Sequence, residues 1–266
     1  VNFFLKHKPK VILRISGFPK LNFIRKFLWK INRKRIYKIT CPSFGLKNQL
    51  KDLNILPEDK IIFLADPIIN IKLFKKKLSK IKIENNLFNK KKFFISVGRL
   101  TKQKNFFLLI SAFKEISQKY PNLKLIILGE GDERKKLEKL IEDLNLSGSV
   151  FLEGYKKNIF NYLNNCECYI SSSLYEDPGF SLIESGFLNK PVIAADSNTG
   201  PSEILNNSKN GFLFRNNDKT SLVDQYFKLK NSNTKDVINK KINLKKFSKN
   251  FSVFRHFKNF EKILSN

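Results

Sequence analysis

The segment CYISSSLYEDPGFSLIE, residues 168–184, predicts a buried strand, a loop and a helix in direct succession. The strand candidate covers residues 168–170, and the helix candidate begins at Phe180, directly after Pro178 and Gly179. A strand that feeds a helix in this way is the repeating unit of a parallel sheet covered by helices. The segment therefore predicts an α/β fold.

The same unit recurs along the chain, where short β-branched and aromatic runs alternate with longer amphipathic runs. The predicted strands cover residues 11–15, 37–40, 61–64, 93–97, 123–128, 150–152, 168–170 and 191–194. The predicted helices cover residues 21–35, 105–118, 133–144, 159–164, 180–188, 222–229 and 251–264. This order predicts Rossmann-like, doubly wound parallel sheets.

A shift in composition divides the chain, because Lys and Asn crowd together at residues 72–92 with few large aliphatic side chains. We interpret this stretch as a linker. About three strands precede it, too few for a complete doubly wound domain, whereas five or more follow it. The predicted organisation is a partial domain with the linker in residues 1–85, a complete domain in residues 86–245, and a terminal segment in residues 246–266 whose helix packs back toward the first domain. The buried face of that helix is expected to consist of Phe254, Phe257, Phe260 and Leu264.

The chain is strongly basic. Its 266 residues carry 51 Lys and Arg against 23 Asp and Glu, a net charge of +28. Only eight of the basic residues are arginine, whereas proteins that contact nucleic-acid phosphates favour its bidentate fork. We therefore predict no nucleic-acid partner from this charge. The hydrophobic content of 41% excludes a disordered chain.

Several classes of protein are excluded by what the sequence lacks. No run of about 18 apolar residues could span a membrane, and no secretory signal is present. The three cysteines are expected to be small buried residues in a reducing, cytoplasmic setting, and two histidines are too few for a histidine-based metal site. Methionine is absent even from position 1, so we expect the chain to lack an N-terminal portion.

The first candidate site follows the predicted strand 93–97 and contains Gly98, Arg99 and Lys104. In an open α/β sheet the ligand crevice lies at the carboxyl ends of the strands, so both cations would reach it. Two cations there suit a diphosphate. In so lysine-rich a chain, however, an Arg-x4-Lys pair also arises by chance.

The second candidate is the pair Gly129 and Gly131, between the predicted strand 123–128 and the next helix. Glycines permit a tight turn and a close main-chain approach, and a helix N-terminus offers unpaired amides to an anion. The third glycine of a dinucleotide-binding fingerprint is absent, since Arg134 stands there.

The third candidate lies in the opening segment. Gly179 lets the main chain approach a ligand, and the amides of Phe180 and Ser181 at the helix start can bind oxygen atoms. Glu184 falls about one turn into the helix, where its carboxylate can accept two hydrogen bonds from the vicinal hydroxyls of a ribose. Glu176, in the loop, is placed to meet hydroxyls of a sugar. The alternative is that both glutamates are solvated surface residues.

Six blocks together occur in the order seen in the nucleotide-sugar domain of retaining GT-B glycosyltransferases. They are Gly98-Arg99 with Lys104, Gly129-Glu130-Gly131, Gly154-Tyr155, residues 176–184, residues 190–194 and residues 200–204. The sequence thus resembles the E-x7-E family of these enzymes, glycosyl transferases group 1 of the family 4 type. The resemblance covers about residues 90–230 with specific motifs, and residues 1–75 more loosely.

The resemblance implies a GT-B fold and a role for each matching residue. Arg99 and Lys104 match the pair that binds the donor diphosphate and neutralises the leaving group. Glu184 matches the glutamate that holds the ribose, and Glu176 the one that faces the donor sugar. Further contacts to the donor are implied for Gly98, Gly129, Gly131, Tyr155, Gly179, Phe180 and Ser181.

The resemblance also implies the reaction. A hexose-type sugar would pass, with retention of configuration, from a nucleotide-diphosphate sugar to a glycan or lipid-linked acceptor in cell-surface polysaccharide or lipopolysaccharide synthesis. The donor is a substrate, no cofactor is expected, and no metal is expected because the D-x-D motif of metal-dependent sugar transfer is absent from the sequence.

The sequence departs from the family at two places. Asp177-Pro178 stand where the family usually has a small residue and an aromatic one, so the motif does not specify the sugar. Ser16 stands where a histidine near the donor sugar is frequent, and we name no catalytic histidine.

The stretch of residues 20–38 combines six aromatic or aliphatic side chains, one of them Trp29, with at least six cations. Such a helix either lies on an anionic membrane surface, as a peripheral protein on the inner face of the plasma membrane would, or packs on its own domain. A rival to the enzyme hypothesis is a non-catalytic basic module that binds nucleotides or membranes on an inactive GT-B-like fold.

Overall fold

The computed structural model describes residues 9–19, 21–79, 93–197 and 199–265, which form two parallel sheets. The first sheet has the order β1-β2-β3, with β1 Val11–Arg14, β2 Ile36–Cys41 and β3 Ile61–Phe63. The second sheet has the order β6-β5-β4-β7-β8-β9. Its strands are β4 Phe93–Val97, β5 Lys124–Leu128, β6 Val150–Leu152, β7 Cys168–Ser171, β8 Val192–Asp196 and β9 Phe212–Arg215.

Helices connect these strands and cover them. They are α1 Phe23–Asn32, α2 Phe44–Asp52, α3 Ile71–Ser79, α4 Phe106–Lys119, α5 Arg134–Asp143, α6 Phe160–Asn165, α7 Phe180–Phe187, α8 Gly200–Ile204, α9 Lys219–Asn231, α10 Thr234–Ser248 and α11 Val253–Ser265. A membrane-crossing helix, long and apolar enough to span a bilayer, is not found in the described ranges.

The second sheet is buried on both faces. Successive side chains of a strand point to opposite faces, and the neighbours Phe93 and Phe94 of β4 accordingly lie in two different hydrophobic clusters. Helices α4, α5 and α9 contribute to the cluster around Phe94, and α3, α6, α7, α8 and α10 to the cluster around Phe93. The predicted α/β class with doubly wound parallel sheets is confirmed.

The order of the strands creates a crevice between β4 and β7. The chain proceeds from β4 outward through β5 to β6, then crosses back to β7 on the other side of β4 and continues through β8 to β9. Ligands of open α/β sheets bind at such a reversal, outside the carboxyl ends of the strands. The loops that follow β4 and β7 therefore define the place of the candidate site.

The first part of the predicted linker is helical. Residues 71–79 form helix α3, whose Phe74 is buried, while residues 80–92 lie outside the described part of the chain. The lysines of α3 lie on its exposed side. They dominate the composition of this segment, so its few apolar positions did not indicate a helix.

Four helices and one strand of the structure were not predicted: α2, α3, α8, α10 and β9.

Helix α11 is turned differently from the prediction. We expected Phe254, Phe257, Phe260 and Leu264 to form its buried face, but Phe254 and Phe257 are 76% and 60% exposed. A neighbouring face makes the contacts instead: the His256 Nδ1 atom lies 2.7 Å from the carbonyl oxygen of Ala65.

The end of α11 lies against the first sheet. The hydroxyl of Tyr37 donates to the carbonyl of Ile263 over 3.1 Å, and the Lys10 ammonium donates to the carbonyl of Leu264 over 2.9 Å. The exact bounds of the three predicted segments stay a prediction.

Phe74 offers a test of how α3 is held. Its ring packs edge-on against Phe160 and Phe187, with centroid distances of 4.3 and 5.0 Å. We expect Phe74→Ala to lower the free energy of unfolding by about 3–5 kcal/mol, because a buried ring is replaced by a cavity. Leu73→Ala on the same helix, where Leu73 is 50% exposed, is the control and should change it by less than about 0.5 kcal/mol. Urea denaturation measures both; equal losses would contradict this packing.

Candidate active site

The loop after β4 brings Lys104 back over the strand end. A short 3-10 turn, Lys102–Lys104, leads through Asn105, in the left-handed region at φ 50°, into α4. The aliphatic stem of Lys104 crosses Gly98, where a Cβ atom would lie 2.8 Å from the Cε atom of Lys104. Glycine at position 98 thus makes room for the lysine, and sequence reasoning had not assigned it this role.

Lys104 and Glu176 form an ion pair across the crevice. Their side chains are only 18% and 16% exposed. The Ser173 hydroxyl donates to the same carboxylate oxygen over 2.9 Å, and the Ser172 hydroxyl donates to the carbonyl of Lys104 over 2.8 Å. The loops after β4 and β7 are thereby joined by both side-chain and main-chain contacts.

Arg99, unlike Lys104, has no ion-pair partner in the described part of the chain. It lies at the carboxyl end of β4 and is exposed, and it forms no ion pair with any residue that the structure describes. The two side chains that are predicted to bind the diphosphate therefore lie on one loop, but of the two only Arg99 has a charge without an ion-pair partner.

The two glycines after β5 contact protein main chain. A Cβ atom would lie 1.9 Å from the carbonyl oxygen of Gly98 if it were added at Gly129, and 2.4 Å from that of Leu100 if it were added at Gly131. The sequence pattern predicted that Gly129 and Gly131 let the main chain approach a ligand closely. The structure shows that the turn after β5 packs directly on the loop after β4.

The segment after β6 lies beside this turn. The Gly129 amide donates to the carbonyl of Gly154 over 2.9 Å, and the neighbouring Tyr155 side chain is 77% exposed. Tyr155 is thus at the same edge of the sheet as the glycine turn.

Gly179 is the residue that starts α7. Its φ of 102° lies in the left-handed region that favours glycine. Phe180 and Ser181 follow in the first turn, where helical amides have no partner within the helix. The chain thus presents N–H groups at the carboxyl end of the sheet.

Glu184 lies one turn further along α7 and is largely buried. Among the described residues no hydrogen-bond donor contacts its carboxylate. Burial raises the pKa of Glu184 to about 7, an effect that the positive charge of Lys77 on α3 partly offsets. Its oxygen atoms are consequently available to a ligand, and the alternative of a solvated surface glutamate does not hold for Glu184 or for Glu176.

A cavity of about 370 Å³ lies between the two sheets, next to the ion pair. Glu176, Asp177 and Ser197 line it from the second sheet, and Ser16 and Gly17 from the first. Sequence reasoning did not assign Ser197 to the site. The signal for Asp177 was its departure from the family pattern.

Two carboxylates of the second half of the chain accept main-chain N–H groups of the first half: Asp177, which lines this cavity, and Glu203, which lies outside it. The Gly17 amide donates to Asp177 over 3.2 Å, and the amides of Phe44 and Gly45 donate to Glu203 over 2.8 and 3.2 Å. Burial raises the pKa of both carboxyl groups, while these hydrogen bonds act in the opposite direction.

The arrangement can bind an anion that carries hydroxyl groups. Cations and helix-start amides suit phosphate oxygens, and the carboxylates of Glu176 and Glu184 suit hydroxyl donors. In the described ranges no three His, Cys, Asp or Glu side chains are grouped so that they could hold a metal ion.

The chain is similar to proteins of a known family. The family model described as glycosyl transferases group 1 matches residues 79–250, well over half of the chain. The chain belongs to this family. An uncharacterized glycosyltransferase of Methanocaldococcus jannaschii is 48% identical over 120 residues, which are 45% of this chain and 30% of that protein.

A second relative comes from Campylobacter jejuni. It is N-acetylgalactosamine-N,N'-diacetylbacillosaminyl-diphospho-undecaprenol 4-alpha-N-acetylgalactosaminyltransferase, 33% identical over 218 residues. The match covers 80% of this chain and 56% of that protein. The chain thus spans about a third to a little over half the length of these two relatives.

The fold agrees with solved structures. The Anabaena protein HepE, crystallised with UDP and glucose, superposes with a TM-score of 0.82 at 18% identity, over 97% of this chain and 72% of HepE. The predicted GT-B type of fold is confirmed. The roles assigned to single site residues stay predictions.

The raised pKa of Glu184 predicts how stability depends on pH. The folded state binds the proton more tightly than the unfolded state, in which the group titrates near 4.5, so stability falls as the pH rises from about 4.5 through about 7. We expect Glu184→Gln to be more stable than the wild type at about pH 8, by at most about 3 kcal/mol, and equal to it at about pH 4.5. Thermal unfolding at the two pH values measures this. The exposed Glu142→Gln is the control, and a pH-independent difference for Glu184→Gln contradicts the assignment.

Proposed function

We propose that this protein is a glycosyltransferase that moves a sugar from a nucleotide-diphosphate sugar to a glycan or lipid-linked acceptor. The observation that carries the proposal is the Lys104–Glu176 ion pair at the crevice between β4 and β7, beside the start of α7. Membership of the glycosyl transferases group 1 family supports it. The Campylobacter relative is named for transfer to a diphospho-undecaprenol-linked sugar, which supports an acceptor of that class in cell-surface polysaccharide or lipopolysaccharide synthesis.

The donor diphosphate binds to Arg99, Lys104 and the amides of Phe180 and Ser181. Cleavage of the bond between sugar and phosphate leaves negative charge on the departing diphosphate. Fixed cations and helix-start amides stabilise that charge as it develops. They do so without a metal ion, in keeping with the absence of a D-x-D motif from the sequence.

The nucleoside binds on the other side of the diphosphate. Glu184 accepts hydrogen bonds from the ribose hydroxyls, which satisfy a buried carboxylate that has no donor among the described residues. The base lies against the turn of Gly129 and Gly131 and the segment at Tyr155, which the structure brings to one edge of the sheet.

The sugar lies against Glu176. One oxygen of this carboxylate is bound to Lys104 and Ser173, and the other remains for a sugar hydroxyl. A carboxylate that is paired with a cation is a poor nucleophile, which favours attack of the acceptor on the same face as the departing phosphate, with the phosphate helping to remove the acceptor proton. This course retains the configuration of the sugar.

Replacement of Lys104 tests the enzyme proposal. We expect Lys104→Ala to lower kcat/KM by about 10²–10³-fold, because the developing charge loses a fixed cation and Glu176 loses its partner. Lys102→Ala is the matched control, since Lys102 is an exposed lysine on the same turn. The assay measures release of nucleoside diphosphate from a panel of UDP-, GDP- and ADP-sugars. Wild-type rates for Lys104→Ala, or binding of polyanions with no turnover by the wild type, would favour a non-catalytic basic module.

The proposal extends to where the protein acts, which is the surface of an anionic membrane. Five apolar side chains of α1 are each at least half exposed: Phe23, Ile24, Phe27, Leu28 and Ile31. Trp29, on the opposite side of the helix, packs on the core of the first sheet. Within the described part of the chain the apolar face of α1 is therefore not covered, whereas a helix that served only to cover its own domain would bury that face.

The charge around α1 complements such a surface. Arg25, Lys26 and Lys30 lie on the helix, and the first 51 residues of the chain contain neither Asp nor Glu. Each cation near an anionic bilayer contributes about 1 kcal/mol, and apolar side chains that enter the interface add to this.

Sedimentation with vesicles tests the membrane proposal. We expect the protein to sediment with vesicles of phosphatidylglycerol and phosphatidylcholine, less so at high salt, and not with phosphatidylcholine alone. The double variant Phe27→Glu, Leu28→Glu should remain in the supernatant. Phe254→Glu is the control, because Phe254 is a more exposed phenylalanine on a different helix. Equal sedimentation of wild type and double variant is incompatible with docking through α1.

A further inference from the structure

Two buried polar atoms on the wall of the 370 Å³ cavity have no hydrogen-bond partner among the described residues. They are the Oδ1 atom of Asp177 and the Oγ atom of Ser197. Ser197 as a whole is only 8% exposed. Nearly all buried polar atoms in folded proteins are hydrogen-bonded, so two orphans that line one cavity call for a shared explanation.

The Asp177 carboxylate is held in place by its other oxygen atom. Oδ2 accepts a hydrogen bond from the Gly17 amide over 3.2 Å. This donor comes from the side of the first sheet. The contact orients the group, and Oδ1 has no hydrogen-bond partner among the described residues.

The two orphan atoms lie next to the residue that we assign to the sugar. Asp177 follows Glu176 directly in the chain, and the hydroxyl of Thr199, two residues after Ser197, donates to the carbonyl of Glu176 over 2.6 Å. The cavity has the size of a small-molecule subsite. Its wall is continuous with the carboxylate of Glu176.

We propose that Asp177 and Ser197 form a sugar subsite, in which Asp177 accepts a hydrogen bond from a ring hydroxyl and Ser197 bonds to the same hydroxyl or its neighbour. The proposal rests on the glycosyltransferase function and names residues that determine its sugar specificity. An ionised carboxylate only accepts hydrogen bonds, so its partner must be a donor, which a hydroxyl is. A sugar that lacks this hydroxyl leaves both atoms unpaired and is rejected.

The hydroxyl belongs either to the donor sugar or to the acceptor. An increase in KM for the nucleotide sugar, measured by hydrolysis without acceptor, indicates the donor. An increase in KM for glucose, N-acetylglucosamine or N-acetylgalactosamine, used as acceptors with saturating nucleotide sugar, indicates the acceptor.

Ser197→Ala is the decisive variant, because Asp177 also links the two halves of the chain and its removal could disturb folding. The Ser197 hydroxyl has no partner in the described structure, so its removal should leave the melting temperature unchanged or raise it. We expect KM for one of the two substrates to increase about tenfold, while the affinity for UDP alone is unchanged.

Ser221→Ala is the matched control. Ser221 is also 8% exposed, but its hydroxyl oxygen accepts a hydrogen bond from the Arg215 amide over 2.9 Å, away from the cavity. This variant should lose stability and keep both KM values. Ser197→Ala with wild-type KM for both substrates overturns the subsite, and so does a loss of stability like that of Ser221→Ala without a change in KM. If the wild type neither binds nor turns over any nucleotide sugar, the proposed function fails, and the subsite falls with it.

Discussion

The ion pair between Lys104 and Glu176 is the contact on which the candidate site depends. Both side chains are largely removed from water, so the loss of either would leave a charge without a partner. Their meeting requires β4 and β7 to be neighbours, which the reversal of strand order between them provides. A diphosphate that binds Lys104 must share this cation with Glu176. Under the proposed function, recognition of the phosphate would therefore be coupled to recognition of the sugar.

Carboxylates of the second half of the chain join it to main-chain N–H groups of the first half. The first 51 residues contain no acidic side chain, and the carboxylates at the junction, Asp177 and Glu203, come from the second half. They accept main-chain N–H groups of Gly17, Phe44 and Gly45. The cavity between the sheets thus has walls from both halves, and its orphan polar atoms lie where those walls meet.

Local sequence patterns predicted most of the second sheet. The bounds of β4 and β6 agree with the prediction because both strands are short, mostly apolar runs flanked by loop residues. Helix α10 was missed because it buries little beyond Leu244 and Ser248. Its place is set by Gly186 of α7, where a Cβ atom would lie 2.5 Å from the Cγ atom of Leu244. That fit between two helices has no signature in either segment alone.

The amino-acid sequence established the order of strands and helices, the glycines at the strand ends, and the identity of the charged residues that follow them. These features are local, since a period of two or of 3.6 residues and a left-handed turn involve neighbours in the chain. Folding determined the rest: that Lys104 is neutralised while Arg99 is not, that α1 and α11 leave apolar faces exposed in the described part of the chain, and that one oxygen of Asp177 and the hydroxyl of Ser197 have no partner there. Lys104 and Glu176 are 72 residues apart, and such contacts depend on which strands become neighbours and how helices pack on them.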